Sequence, residues 1–177
     1  ANQLSHLLRS AGVQPGDHVA ICMENHDRYL EVVWGCHYAG AVYTCASSRL
    51  TSGELSYIIN DCAAKVFITS HYKADQATEI MPTTPHVGLR LMLDGTVAGY
   101  DAYEAAVSDQ PTTPLPEERI AGTDMLYSSG TTGQPKGALH AHGAVLPHQV
   151  TGHYVLDLHD EDVFWCTADP GWVTGMS

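Results

Sequence analysis

Between Leu4 and Leu93 the apolar residues recur alternately at helical and at strand spacing, and this alternation restricts the chain to very few architectures. Leu4, Leu7, Leu8 and Ala11 fall at i, i+3, i+4 and i+7, which predicts a first helix ended by Gly12 and the turn Gln14-Pro-Gly-Asp17. Val19 to Cys22 reads as a buried strand. Leu30, Val33, Trp34, His37 and Tyr38 predict a second helix, leading through Gly40 into a short strand over Ala41 to Thr44. Thr51-Ser-Gly-Glu54 has the form of a capping box, in which the threonine hydroxyl accepts from the Glu54 amide and the glutamate returns to the cap. Leu55, Ile58, Ile59 and Cys62 give that third helix its buried stripe. A strand over Lys65 to Thr69, a weaker helix over Tyr72 to Met81 and a strand marked by Leu89, Leu91 and Leu93 continue the pattern. Such alternation implies right-handed crossovers, and so an α/β fold: a mainly parallel sheet with helices on both faces. Ligands of such sheets bind at the carboxyl ends of the strands.

From Ser108 to Gly122 the prolines Pro111, Pro114 and Pro116, with Glu117-Glu-Arg119, predict a non-helical surface connector. The expected organisation is one α/β subdomain over 1–177, divided into a scaffold (1–107), the connector (108–122) and a segment carrying the chemistry (123–177). In that last segment we expect a strand over Asp124 to Tyr127, a glycine loop, a helix from His142 to Leu156 and a strand over Asp162 to Cys166.

Composition excludes several function classes. Apolar residues make up 44% and charged residues 16%, a globular balance, and no apolar run has the length of a transmembrane segment. A net charge of −12 repels nucleic acid and anionic lipid, so any bound anion must be gripped locally. Five cysteines, an odd set without a C-x-x-C pair, argue against a disulfide framework and a zinc knuckle and suit a reducing, cytoplasmic setting. Of the eleven histidines only His140 and His142 stand close together, which disfavours a histidine metal site. The chain starts without methionine or signal peptide and stops in a glycine-interrupted apolar run, Gly171 to Ser177; both ends read as those of an excerpt.

The chemistry concentrates in Tyr127-Ser-Ser-Gly-Thr-Thr-Gly-Gln-Pro-Lys-Gly137, directly after a predicted strand. Its glycines allow successive amides to face phosphate oxygens, and its hydroxyls add donors. Lys136 supplies a full charge, which makes a hydrogen bond worth about 1.5–3 kcal/mol. Pro135 stiffens the approach to that lysine. The run is neither a Walker loop, since Lys136 follows proline and precedes glycine, nor a dinucleotide fingerprint, since Gly130, Gly133 and Gly137 do not have its spacing.

Residue for residue, this run resembles the signature loop of the adenylate-forming (AMP-binding) superfamily: acyl-CoA synthetases, luciferase-like ligases and peptide-synthetase adenylation domains. The stretch Asp162-Val-Phe-Trp-Cys-Thr-Ala-Asp-Pro-Gly-Trp-Val-Thr-Gly175 is similar to the segment that follows the loop in acetyl- and medium-chain acyl-CoA synthetases, and Ser5 to Thr69 resembles their first part. The resemblance implies the first subdomain of the large N-terminal domain of such a ligase, which activates a carboxylic, in particular fatty, acid. ATP and the acid give an acyl-adenylate and pyrophosphate, and CoA then takes the acyl group. Carried over by position, it assigns Ser128, Ser129, Gly130, Thr131, Thr132, Gly133 and Lys136 to the ATP phosphates. Ser128 occupies the place of a magnesium-linked threonine, Thr174 lies near CoA, and His142, Trp172 and Val173 line the acid pocket. The cofactors implied are ATP, Mg2+ and CoA; the partners are the acid and the remainder of the same chain. Relatives continue with an adenine-binding segment, a ribose aspartate, a magnesium glutamate and a small domain bearing a catalytic lysine, so no catalytic residue is expected within 1–177 and the isolated piece is expected to be inert. An adenylation domain that loads a carrier protein and a non-catalytic binding module are the alternatives. Thr167-Ala-Asp-Pro-Gly-Trp172 disfavours the first, and the intact Lys136 with the full hydroxyl set the second.

Overall fold

A computed structural model describes residues 1–116, 120–128, 133–141, 143, 145–163 and 167–171. Seven strands, β1 (His18–Cys22), β2 (Val42–Cys45), β3 (Val66–Ser70), β4 (Leu89–Leu93), β5 (Asp101–Ala102), β6 (Thr123–Ser128) and β7 (Lys136–Leu139), form one sheet. Six α-helices accompany them: α1 (Asn2–Ser10), α2 (Tyr29–Tyr38), α3 (Ser52–Asp61), α4 (Ala74–Ile80), α5 (Tyr103–Ser108) and α6 (Val145–Tyr154). The strand order is β5-β4-β3-β1-β2-β6-β7. Every neighbouring pair is parallel except β6 with β7, so the mainly parallel α/β sheet expected from the alternation is present.

Strand register explains why both faces are apolar. Cys45, Ile21, Ile68 and Leu91 lie side by side across β2, β1, β3 and β4, and this row belongs to the core under α1, α2 and α5. Ala20 and Phe67, one residue along, point the other way into the core under α3 and α4. Strands buried on both faces need continuous apolar runs, which is what β1 and β3 have. Full burial of each isoleucine in the row contributes about 1.5–3 kcal/mol.

Local signals hold where chemistry dictates them. Thr51 accepts from the Glu54 amide at 3.3 Å and Glu54 accepts from the Thr51 amide at 2.8 Å, forming the predicted capping box. The turn after α1 closes through Asp17 N–H to the Gln14 carbonyl and Gln14 N–H to the Asp17 carboxylate. Four differences stand out. The stripe predicted for α2 is rotated: Tyr29, Val32, Val33 and Cys36 are buried, whereas Leu30 and Trp34 are 63% and 48% exposed. Lys136–Leu139 is a strand, unforeseen because it is short, charged and glycine-containing. β5 and α5 were not foreseen either. Asp162 and Val163 are not in a strand, and Phe164, Trp165 and Cys166 lie outside the described residues. The connector packs on α1, whose Asn2 and His6 side chains bond the Thr112 and Thr113 carbonyls.

Candidate active site

The carboxyl ends of β1, β2, β3 and β6 lie on one side of the sheet because those strands run parallel. β6 joins the edge of β2 through a close backbone approach at Gly122. A Cβ there would stand 2.3 Å from the Ala41 carbonyl oxygen, and the Gly122 amide donates to the His37 carbonyl at 2.9 Å. The chain then turns back through β7, pairing Tyr127 with Gly137 and Ser128 with Lys136. β6 and β7 thus form a β-hairpin, and residues 129–132 of the glycine loop lie outside the described residues.

This hairpin brings two of the predicted phosphate residues opposite each other: Ser128 at the end of β6 and Lys136 at the start of β7, both exposed. Gly133 has φ +97°, a left-handed value that favours glycine, and nothing lies within 4 Å of where a Cβ would be. Lys136 has no carboxylate within ion-pair distance among the described residues. A glycine with open space around it, an exposed hydroxyl and an ammonium without a carboxylate partner among the described residues can together receive an anionic group in a chain of net charge −12. Ser129, Gly130, Thr131, Thr132, His142, Trp172, Val173 and Thr174 lie outside the described residues.

Two side-chain contacts between distant positions hold the hairpin against α3. Tyr127 donates its hydroxyl proton to Asp61 Oδ2 at 2.6 Å, and Tyr57 donates to the Pro135 carbonyl at 3.2 Å. Burial, followed by the bond to the Asp61 carboxylate, raises the Tyr127 phenol well above its ordinary value, so it remains a donor at neutral pH.

The segment before Trp172 docks on the exit of β2. Asp169 Oδ2 accepts from the Ser48 amide and hydroxyl at 3.2 and 2.7 Å, while Oδ1 accepts from the Gly171 amide at 2.8 Å. Lys73 Nζ donates to the Ser48 carbonyl at 2.7 Å. A Cβ at Gly171 would fall 2.1 Å from the Ser47 nitrogen, so the approach requires glycine. Contacts between residues far apart in sequence thus hold Asp169 and Gly171 against the exit of β2.

Other chemistry is weaker. His140 Nδ1 lies 2.9 Å from Asp124 Oδ2 on the paired strand region, and no group of three potential metal ligands occurs among the described residues. Cys22, Cys36, Cys45 and Cys62 are free and buried. Burial pushes the Cys22 and Cys45 thiols up to about 12 and Cys62 to about 11, which removes them as nucleophiles at neutral pH. No helix among the described residues is long and apolar enough to cross a membrane.

Residues 1–177 match the family model described as AMP-binding enzyme. The chain is similar to the acetyl-coenzyme A synthetase of Methanothrix thermoacetophila, with 37% identity covering 99% of the chain and 30% of the relative. It is 33% identical to that of Pseudoalteromonas translucida over 96% of the chain and 29% of the relative. Among solved structures it resembles an anthranilate CoA ligase in complex with anthranoyl-AMP (TM-score 0.79, 28% identity, 86% of this chain and 30% of that one). The fold also matches the Brucella canis acyl-CoA synthetase (TM-score 0.85, 22% identity, 99% of this chain and 32% of that one). The chain spans 30% of the length of the first of these curated relatives.

Proposed function

Because the chain belongs to the AMP-binding enzyme family, we propose that it is the phosphate-gripping part of an acid:CoA ligase. In that reaction a carboxylate oxygen bonds to the α-phosphorus of ATP, the bond from that phosphorus to the bridging oxygen breaks, and pyrophosphate leaves. The CoA sulfur then bonds to the acyl carbon of the acyl-adenylate, the bond from that carbon to the phosphate oxygen breaks, and AMP leaves. The observation that carries this reading is the β6–β7 hairpin, with Ser128 opposite Lys136 and the open turn at Gly133 between them.

Each residue has a defined task. The Lys136 ammonium stabilises the charge that builds on the departing pyrophosphate, and the loop amides and the hydroxyls of Ser128, Ser129, Thr131 and Thr132 hold its oxygens. Gly130 and Gly133 let the backbone approach. Mg2+ beside Ser128 would neutralise further phosphate charge. His142, Trp172 and Val173 line the acid pocket, with Thr174 near CoA. The scaffold over 1–107 and the connector over 108–122 supply the platform for 123–177. The acid is aliphatic and of the fatty class, and the similarity to acetyl-CoA synthetases favours its short end. The setting is cytoplasmic. Taken alone, the 177 residues do not turn over, since relatives of the whole enzyme are covered to only 30%.

The test is ATP–pyrophosphate exchange by the full-length protein across aliphatic acids of increasing chain length, with CoA-thioester formation followed in parallel. Acid-dependent exchange and thioester release are expected, with no exchange by residues 1–177. Exchange without thioester would favour carrier loading, and exchange independent of any acid would contradict the reading.

A further inference from the structure

Both shoulders of the phosphate loop are tied to the same turn of one helix. Before the loop, the Tyr127 hydroxyl donates to Asp61 Oδ2 at 2.6 Å; after it, the Pro135 carbonyl accepts from the Tyr57 hydroxyl at 3.2 Å. Tyr57 and Asp61 are one helical turn apart on α3, and the Tyr57 oxygen also lies 3.4 Å from Asp61 Oδ1, so the two anchors touch each other. Helix α3 is in turn a fixed platform. Its first turn is locked by the Thr51–Glu54 capping box, and Leu55, Ile58 and Ile59 bury its inner face. The ring of Tyr127 packs against the core beneath α3.

Two properties of this arrangement exceed what sheet pairing alone provides. The β6–β7 ladder fixes the distance between the strands up to the Ser128–Lys136 pair, but it does not fix the tilt of the hairpin tip relative to the sheet. Bonds from one helix to both sides of the tip do fix it. Pro135 is also the immediate neighbour of Lys136, so holding its carbonyl orients the backbone from which the lysine projects.

We propose that Tyr57, Asp61 and Tyr127 form a positioning clamp that presets the phosphate loop for ATP. The clamp rests on the reading of that loop as a phosphate grip. None of the three residues touches ATP in this scheme; they act through the loop, and their loss raises the entropy that must be given up when ATP binds.

The experiment is steady-state pyrophosphate exchange by the full-length protein, with KM measured separately for MgATP and for the acid and melting temperature recorded for each variant. Tyr127→Phe and Asp61→Ala are each expected to raise KM for MgATP about tenfold, the worth of a hydrogen bond to a charged group, with KM for the acid changed less than about twofold. Combining them should add little, because they remove the same bond. Asp61→Asn, whose amide oxygen still accepts but carries no charge, should bring the rise back to about threefold. Tyr57→Phe should raise KM for MgATP about threefold, in keeping with a neutral bond. Unchanged KM for MgATP in these variants while Lys136→Ala abolishes exchange would overturn the clamp alone. Both KM values rising together with a fallen melting temperature would also overturn it, by reducing the three residues to packing. Unchanged exchange in Lys136→Ala would instead overturn the loop reading itself.

Discussion

The scaffold of residues 1–107 and the hairpin segment that begins at Thr123 are built on opposite terms. In the scaffold, two apolar clusters sandwich five parallel strands, and side chains such as Leu4, Ile21, Phe67, Ile68 and Tyr103 are fully enclosed. In the hairpin segment every described residue of β7 is exposed, and Leu139, Leu146, Val150 and Tyr154 present large apolar surfaces. The scaffold is held mainly by area; the hairpin adds to its strand ladders and the buried Leu126 a few directed contacts, at Gly122, Tyr127–Asp61 and Tyr57–Pro135, and the Ser48–Asp169 latch holds the segment beyond it. Stability and candidate chemistry thus occupy different residues, and substitutions should separate them.

The largest effect should come from the scaffold. Phe67 is 1% exposed and meets Tyr100 edge-on with ring centroids 6.3 Å apart, so Phe67→Ala should destabilise the protein by about 3–5 kcal/mol in denaturant unfolding. A loss below about 1 kcal/mol would show that the second core matters less than its burial indicates. Next comes the joint. Gly122→Ala places a methyl group against backbone that cannot step aside, and about 1–3 kcal/mol should be lost, with weakened β2–β6 amide protection in hydrogen exchange. Full protection of β6 in that variant would argue that the hairpin hangs on other contacts.

Smaller still is the cap of α3. Thr51→Ala should cost about 1 kcal/mol, read from thermal melts. The bonds from the Thr51 backbone and side chain hold the Glu54 carboxyl below its ordinary value. A lowered folded pKa means that this contribution is present above the unfolded value of about 4.3 and disappears as pH falls through the folded one. The stability gap between wild type and Thr51→Ala should therefore narrow on acidification below that value. A gap independent of pH down to full protonation would contradict the role of Glu54.

How much of this was legible in the sequence depends on how local each determinant is. The capping box, the turn at Gln14 to Asp17 and the strand–loop order at Tyr127 are written in adjacent residues and could be read directly. The face of α2 could not. Its apolar residues encircle the helix, so Leu30/Val33/Trp34 and Tyr29/Val32/Cys36 are equally good stripes by spacing. The choice is made by α1: a Cβ at Gly35 would sit 2.6 Å from Leu4 Cδ2, so α2 turns its glycine side to α1 and leaves Trp34 outside. β7 is not legible because Lys136-Gly-Ala-Leu139 has no alternation, and its pairing partner rather than its composition makes it a strand. The candidate site shows the same division. Ser128, Gly133, Lys136 and Asp169 are visible within motifs, whereas Tyr57, Asp61 and Ser48 join them only through contacts between distant positions, for which single residues carry no signal.

On the proposed reading, Ser128 and Lys136 at the facing ends of β6 and β7 grip ATP while the buried scaffold sustains the fold. Calorimetric titration of MgATP into the full-length protein and its Lys136→Ala variant, with melting curves of both, tests it most directly. The prediction is a Kd for MgATP raised at least about tenfold by the loss of one charged contact, with stability changed by less than about 0.5 kcal/mol because Lys136 is exposed. An unchanged Kd would contradict the account.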